Sequence, residues 1–303
     1  MYDKAYGIIE TLAPLHVGAT AGEETGNLNL IFRDQFTQTG IVPGSSIRGR
    51  LRAEMREFAE EKDEAAKYWY GQAADRNKNE EFESRLKIEH ASIVWMPVFC
   101  PGQPIVWVSC PRLLERYRRI ASIDQKIKTP DPYTASKNLK GREQKKMSEP
   151  KKTIGKKKEK SNPVEKSNPV LFFNLGFIDI EHPNQDLSAW FPLGKDLPAV
   201  VVKNEEMGMI HDMGLYRQSR VALKENQKVV DNFFNVEALP EGTLMVFPIG
   251  IKKRNPKPDA KPEEKSQPEE TWQPLETGTE GEIYLGGLES IGFGHCSMTI
   301  RGL

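Results

Sequence analysis

The feature that most restricts how this chain can fold is a long stretch that cannot be core. Between Lys137 and Lys166 there are twelve Lys/Arg and four Asp/Glu, with almost no aromatic residues. It includes Lys156-Lys157-Lys158 and runs into a tandem repeat, Glu159 to Val164 and then Glu165 to Val170. A segment of this kind buries too little apolar surface to offset its ordering entropy. Residues 123–168 are therefore read as a basic, mobile insertion, and 254–274 as a second, Pro- and Glu-rich solvated loop. Apolar residues make up 38% of the 303, modest for a globular protein and consistent with a core plus polar excursions.

The rest of the chain alternates strand and helix signals. Ala5 to Leu12 is β-branched and aromatic and stops before Pro14, as a strand would. A Gly- and Thr-rich loop, Gly18 to Gly26, precedes an apolar run, Leu28 to Phe32, closed by Arg33-Asp34. Pro43-Gly44 is turn chemistry, and Ser45 or Ser46 is suited to cap a following helix. Leu51, Met55 and Phe58 recur near helical spacing, which predicts one helix over Ile47 to Tyr70, ended by Gly71. Leu86 to Val98 and Pro104 to Ser109 read as a hairpin turning at Pro101-Gly102-Gln103, followed by a short basic helix, Arg112 to Ile120. Further strands are expected at Leu171 to Phe173, Ala199 to Val202, Phe233 to Leu239, Leu244 to Ile251, Glu282 to Leu285 and Cys296 to Ile300, with a basic segment at Tyr216 to Asn226. The class is α+β, with long loops on an antiparallel-leaning sheet.

Formal net charge is zero, so bulk charge does not announce nucleic acid. Cys100, Cys110 and Cys296 lack zinc-ligand spacing and read as reduced thiols. His90, His182, His211 and His295 form no metal-ligand pattern either, so no metal or other cofactor is expected. No signal peptide and no membrane span is read, which makes a cytoplasmic protein the expectation.

Two segments could carry chemistry. The turn Gly286-Gly287 to Gly292-Phe293-Gly294 could bring backbone N–H groups to an anion, or be an ordinary tight turn. It is no Walker loop, because no Gly-Lys-Ser/Thr follows. The helix start at Pro43 to Gly49 offers free N–H groups to a phosphate, with Arg48, Arg50 and Arg52 nearby. By itself it could equally be a capped helix with a basic face. His16 reads either as a general base or as a packed structural histidine.

In their order and surroundings these blocks resemble the RAMP superfamily of proteins that bind CRISPR RNA. The matching blocks are Leu15-His16-Val17-Gly18, then Arg33-Asp34 with Thr37, then Pro43 to Arg52, then Tyr68 to Gly71, and finally Gly286-Gly287 with Gly292-Phe293-Gly294. Glu89 to Val98, Trp107 to Arg116 and Arg220 to Leu223 are similar to the backbone subunits of type III effector complexes, closest to III-B/III-D. The resemblance covers the chain as a single domain, 1–303, apart from the two polar loops.

It implies a ferredoxin-like, RRM-related palm with a β-hairpin thumb and long loop insertions. It implies CRISPR RNA and target RNA as partners, together with neighbouring backbone subunits and other type III subunits, and no membrane. The RNA-binding residues it implies are His16, Arg33, Ser45, Ser46, Arg48, Arg50, Arg52, Arg220, Gly286, Gly287, Gly292 and Gly294. Where cleaving members carry an aspartate, this chain has Leu28 between Asn27 and Asn29, and amides are poor bases and weak metal ligands. Glu23 and Glu24 lie four or five positions away. The expectation is a subunit that holds RNA without cutting it, with magnesium involved only if cleavage is retained. The alternatives are an active metal-dependent endoribonuclease of the same family and a scaffold that joins subunits without touching RNA.

Overall fold

Runs of β-branched and aromatic residues broken by Gly and Pro become strands through most of this chain. The computed structural model describes residues 2–18, 28–58, 62–71, 83–140, 142–143, 169–174, 176–223, 230–252 and 271–303. First come β1 (Tyr2–Thr11), β2 (Leu28–Asn29), β3 (Ile41–Val42), α1 (Gly44–Phe58) and α2 (Lys62–Tyr70). Then follow β4 (Leu86–Ile88), β5 (Ala91–Cys100), β6 (Gln103–Ser109) and α3 (Pro111–Ala121). The middle of the chain supplies β7 (Thr134–Ser136), β8 (Arg142–Glu143), β9 (Pro169–Phe173), β10 (Gly176–Asp179), β11 (His182–Gln185), β12 (Ala199–Val201) and α4 (Asn204–Gly214). The last elements are β13 (Tyr216–Leu223), β14 (Val230–Ala238), β15 (Leu244–Lys252), β16 (Glu280–Tyr284) and β17 (His295–Arg301).

Most strands join one mixed sheet in the order β11-β7-β12-β6-β5-β15-β1-β17-β16, with β3 and β4 attached to β5 and β15. Its centre is antiparallel; β6 with β12 and β7 with β11 run parallel. Successive side chains of a strand point to opposite faces, and here both faces are covered. Ile9, Ile93 and Met245 pack with Ile47, Leu51 and Met55 of α1 and with Met207 and Ile210 of α4. Their neighbours Ile8, Val94 and Leu244 pack on the other face with Leu114 and Tyr117 of α3 and with Trp190 and Phe191. Two covered faces explain why β5 is a nearly continuous apolar run rather than an alternating one. Trp95 stacks on Phe191 with ring centroids 4.5 Å apart, and its indole N–H donates to the Trp190 carbonyl at 2.8 Å.

Two smaller sheets stand beside this one, β10-β9-β8 and β13-β14-β2. The second contains the hairpin expected as the thumb, with Tyr216 opposite Ala238 and Arg220 opposite Phe234. The α+β class with a large sheet and few helices is as the resemblance implied.

Several expectations are corrected. Ile47 to Tyr70 is not one helix. A continuous helix would separate residues 48 and 70 by roughly 33 Å, yet the Arg48 guanidinium donates to the Tyr70 carbonyl, so α2 folds back beside α1. Gly71 does end α2, at φ +74° with its N–H bonded to the Lys67 carbonyl at 2.8 Å. Within the insertion expected over residues 123–168, Thr134–Ser136 is buried and lies in the main sheet between β11 and β12. Residues 144–168, with most of the lysines and the repeat, lie outside the described residues, as do Glu23 and Glu24. Of the expected Pro/Glu-rich loop, 254–274, residues 254–270 lie outside the described residues and the last part is not fully solvated. Trp272 is buried, with its indole N–H 3.3 Å from the Tyr70 hydroxyl. The three cysteines are buried and form no disulfide.

Candidate nucleic-acid interface

Ile47, Leu51 and Met55 of α1 face the core, one helical turn apart. That spacing leaves Ser45, Arg48, Gly49, Arg52 and Arg56 on the remaining surface. The helix begins at Gly44, so Ser45 and Ser46 lie in its first turn and neither is the cap; the Pro43 carbonyl accepts from the Ser46 and Ile47 N–H groups at 3.0 and 3.2 Å. Gly44 is required by close approach: a Cβ there would stand 2.3 Å from the Ile88 carbonyl oxygen. At Gly49 nothing lies within 4 Å of such a Cβ, so that surface is open.

The α1 arginines differ in how they are held. Arg50 pairs with Glu54 one turn on, and Arg56 lies 3.3 Å from Asp63. Arg52 is the strained one. Burial, then the positive charges of Arg56 and Arg48, push its guanidinium below the usual arginine range, and its buried Nε has no hydrogen-bond partner among the described residues. A like-charged row of this kind is relieved when an anion binds across it.

A second group forms where β13-β14-β2 meets the main sheet. Glu237 is 2% exposed and accepts from Arg33 at 3.0 Å and Arg217 at 3.0 Å. Both arginines also hold Asp212 of α4, at 3.1 and 2.9 Å. Burial alone would raise the Asp212 carboxyl, but bonds from Arg33 and Arg217 hold it below its ordinary value. The backbone carbonyl of Glu237 lies 2.6 Å from Nδ1 of His16, so that nitrogen carries the proton. Behind them His211 is fully buried and pushed down to about 3, first by burial and then by Arg33. Its Nε2 accepts the Gly40 N–H at 2.9 Å, which places the proton of the neutral ring on Nδ1.

Of the residues selected from sequence, His16 and Arg33 are thus part of an internal hydrogen-bonded network. The glycine loop joins it. The N–H of Gly287 donates to the His16 carbonyl at 3.0 Å, that of Gly294 to Pro14 at 2.9 Å, and that of Gly292 to Glu289 at 2.9 Å. These three amides are occupied within the chain, so they cannot offer the anion cradle expected of them. Gly286 is needed for room, since at φ +80° a Cβ would sit 2.1 Å from the His16 carbonyl oxygen. Arg220 lies 5.4 Å over the Phe234 ring on the hairpin. Ser45, Ser46, Arg48, Arg50 and Arg52 form the separate α1 group.

Asp212, Arg217, His211 and Glu237 were missed in the sequence. The available signal was Glu237 itself, a lone carboxylate between Val236 and Ala238 in an otherwise apolar strand end. Among the described residues no group of His, Cys, Asp and Glu side chains is placed to hold a metal ion, and no helix is long and apolar enough to cross a membrane.

The model of the RAMP superfamily matches residues 8–297. No curated protein sequence matches significantly. Among solved structures, the type III-B Cmr-beta complex bound to cognate target RNA contains a chain similar to this one at TM-score 0.63 and 15% identity, with 98% of this chain and 96% of that one covered. Oligomeric Cmr4 from Pyrococcus furiosus is similar at TM-score 0.59 and 15% identity, over 99% of this chain and 98% of that one. At such identities these likenesses speak to fold, while the family match spans nearly every residue from the first strand to the last. The chain belongs to the RAMP superfamily.

Proposed function

We propose that this protein is a CRISPR RNA-binding backbone subunit of a type III ribonucleoprotein, which holds guide and target RNA in company with other type III subunits. The carrying observation is the end-to-end similarity to a chain of a complex bound to target RNA. The arginine row of α1 supplies the physics. Arg52, with the guanidinium nitrogens of Arg48 that the Tyr70 carbonyl does not take, grips phosphates without reading bases, as a programmable guide requires.

The subunit holds RNA without cutting it. The family's cleavage position falls on Leu28, whose backbone pairs with Asn235 on β14. The carboxylate next to that pairing is Glu237, buried and engaged by Arg33 and Arg217, which leaves it poorly placed to act as a base or to take a metal.

The test is purification from the native host with sequencing of co-purified RNA. Repeat-derived guides are expected with the native chain, and an Arg48→Gln/Arg52→Gln variant should lose most of them. In a binding titration that variant should also lower the salt dependence by about 1.4 in log–log slope, two phosphate contacts' worth for single strands. Recovery of no RNA, or cutting of target RNA by a complex with this chain as its sole backbone component, would overturn the respective half of the reading.

A further inference from the structure

Outside the α1 row and the Glu237 network, an open groove of about 1340 Å³ lies between α3 and the turn after Arg33. One wall is the row Arg112, Arg116 and Arg119, at helical spacing on one face of α3. The other is the turn Asp34 to Thr37, with His90 and Ser92 at the base.

The two walls are built differently. Arg116 is fixed: its Nε donates to the Ser92 hydroxyl at 2.8 Å and its Nη2 to the His90 carbonyl at 3.2 Å. Arg112 and Arg119 are exposed, and their guanidinium groups form no hydrogen bond or ion pair with any described residue. The acidic residues of the lining are occupied. Asp34 accepts from the N–H groups of Phe36 and Thr37 at 3.0 and 2.7 Å and from the Thr37 hydroxyl at 3.0 Å. Glu115 takes Arg118 and the Thr129 hydroxyl. Arg116 also lies 3.8 Å from Glu89, so the positive charge left unmatched among the described residues is that of Arg112 and Arg119.

The turn presents an aromatic ring. Besides those three bonds it is closed by Gln38 N–H to the Asp34 carbonyl and Asp34 N–H to the Thr39 carbonyl, both at 2.9 Å. Gly208 of α4 packs beneath it, so close that a Cβ would be 3.1 Å from Gln38. On this rigid base Phe36 stands 80% exposed. A braced, solvated phenyl ring lining one groove with the guanidinium groups of Arg112 and Arg119 is the combination that takes unpaired nucleotides, with ring stacked on base and arginine on phosphate. An acidic peptide would use the arginines but gives no reason for the ring.

We infer that the groove between α3 and the Asp34–Thr37 turn binds a single-stranded RNA segment, with phosphates on Arg112, Arg116 and Arg119 and a base on Phe36. The inference rests on the RNA-holding reading and extends it to a second surface. The two surfaces adjoin, since Gly44 at the start of α1 packs on the Ile88–Glu89 backbone and His90 is held by Arg116. One strand can therefore run across both.

The test uses the full chain and a labelled 20-nucleotide single-stranded RNA of mixed sequence, titrated at several salt concentrations. Phe36→Ala should weaken binding by about tenfold or more without altering the salt slope, as loss of one stacked base does. Arg112→Gln/Arg119→Gln should lower the slope by about 1.4, and a Lys126→Gln/Lys128→Gln control outside the groove should leave it unchanged. Wild-type affinity and slope in both groove variants, with binding lost in Arg48→Gln/Arg52→Gln, would overturn the groove while leaving the α1 reading intact. Groove variants that keep RNA affinity but lose self-association would overturn it in favour of a protein contact. A wild-type chain that binds no RNA would end both readings.

Discussion

His211 and Glu237 lie at the junction of the hairpin sheet and the main sheet, both buried and both beside Arg33. Glu237 is buried and ion-paired with two arginines, one of which, Arg217, is 45% exposed and screened by solvent. His211 is kept neutral by burial and by Arg33, with Asp212 opposing and Arg217 adding to the effect. Its folded value of about 3 lies below the ordinary 6.5. Between those values the unfolded chain takes up a proton that the folded chain refuses, so stability falls as pH drops through 6.5. The slope is at most about 1.4 kcal/mol per pH unit from this group. His90, lowered by burial and by Arg116, contributes with the same sign. Melting temperatures at pH 7 and pH 5 should therefore differ, and His211→Gln, which keeps an acceptor for the Gly40 N–H, should narrow that difference. An equal pH response in wild type and variant would show that His211 does not titrate as described. His16 and Arg33 stood out in the sequence but their joining to Asp212, Arg217 and Glu237 did not, because the members come from four separate stretches brought together by the pairing of β13 with β14, of β14 with β2 and of Leu15 with Leu239.

At the scale of the element, α1 gives a matched pair of glycine tests. Gly44→Ala drives a methyl into the Ile88 carbonyl and should cost about 1–3 kcal/mol through forced displacement of the helix start. Gly49→Ala meets open space in a helix interior and should stabilise by about 0.5–1 kcal/mol. Chemical denaturation of the two variants reads both, and a Gly44→Ala chain as stable as wild type would contradict the close packing. The apolar spacing of α1 was legible, as was the hairpin of β5 and β6, since both follow from local periodicity and turn residues. The reversal between α1 and α2 was not: Lys62 to Tyr70 continues to favour helix, and only tertiary contacts such as Arg48 with Tyr70 show that it doubles back. The same lesson applies at Thr134–Ser136, three small residues with no strand signature that are nonetheless buried in the main sheet.

Across the whole molecule the ordering of blocks carried the fold, and the family match over residues 8–297 agrees with it. What periodicity could not supply was the strand order, because it joins stretches far apart in sequence. β1 lies between β15 and β17, with Ile8 opposite both Val246 and Thr299. A chain ended after Gly294 loses β17 and with it one whole edge of β1. Circular dichroism of that truncation should show loss of cooperative unfolding, whereas a native-like melt would mean that β17 is dispensable. Thr11 waits for Cys296, so at a translation rate of about 5–20 residues per second roughly 15–60 s pass between synthesis of the two. Throughout that interval the ribosome carries an unfinished palm with one edge of its first strand bare. The His16 network and the glycine loop that closes it are assembled only as the final strand emerges. A nascent chain that has not yet made residues 295–301 therefore lacks both the second partner of β1 and the closed His16 network.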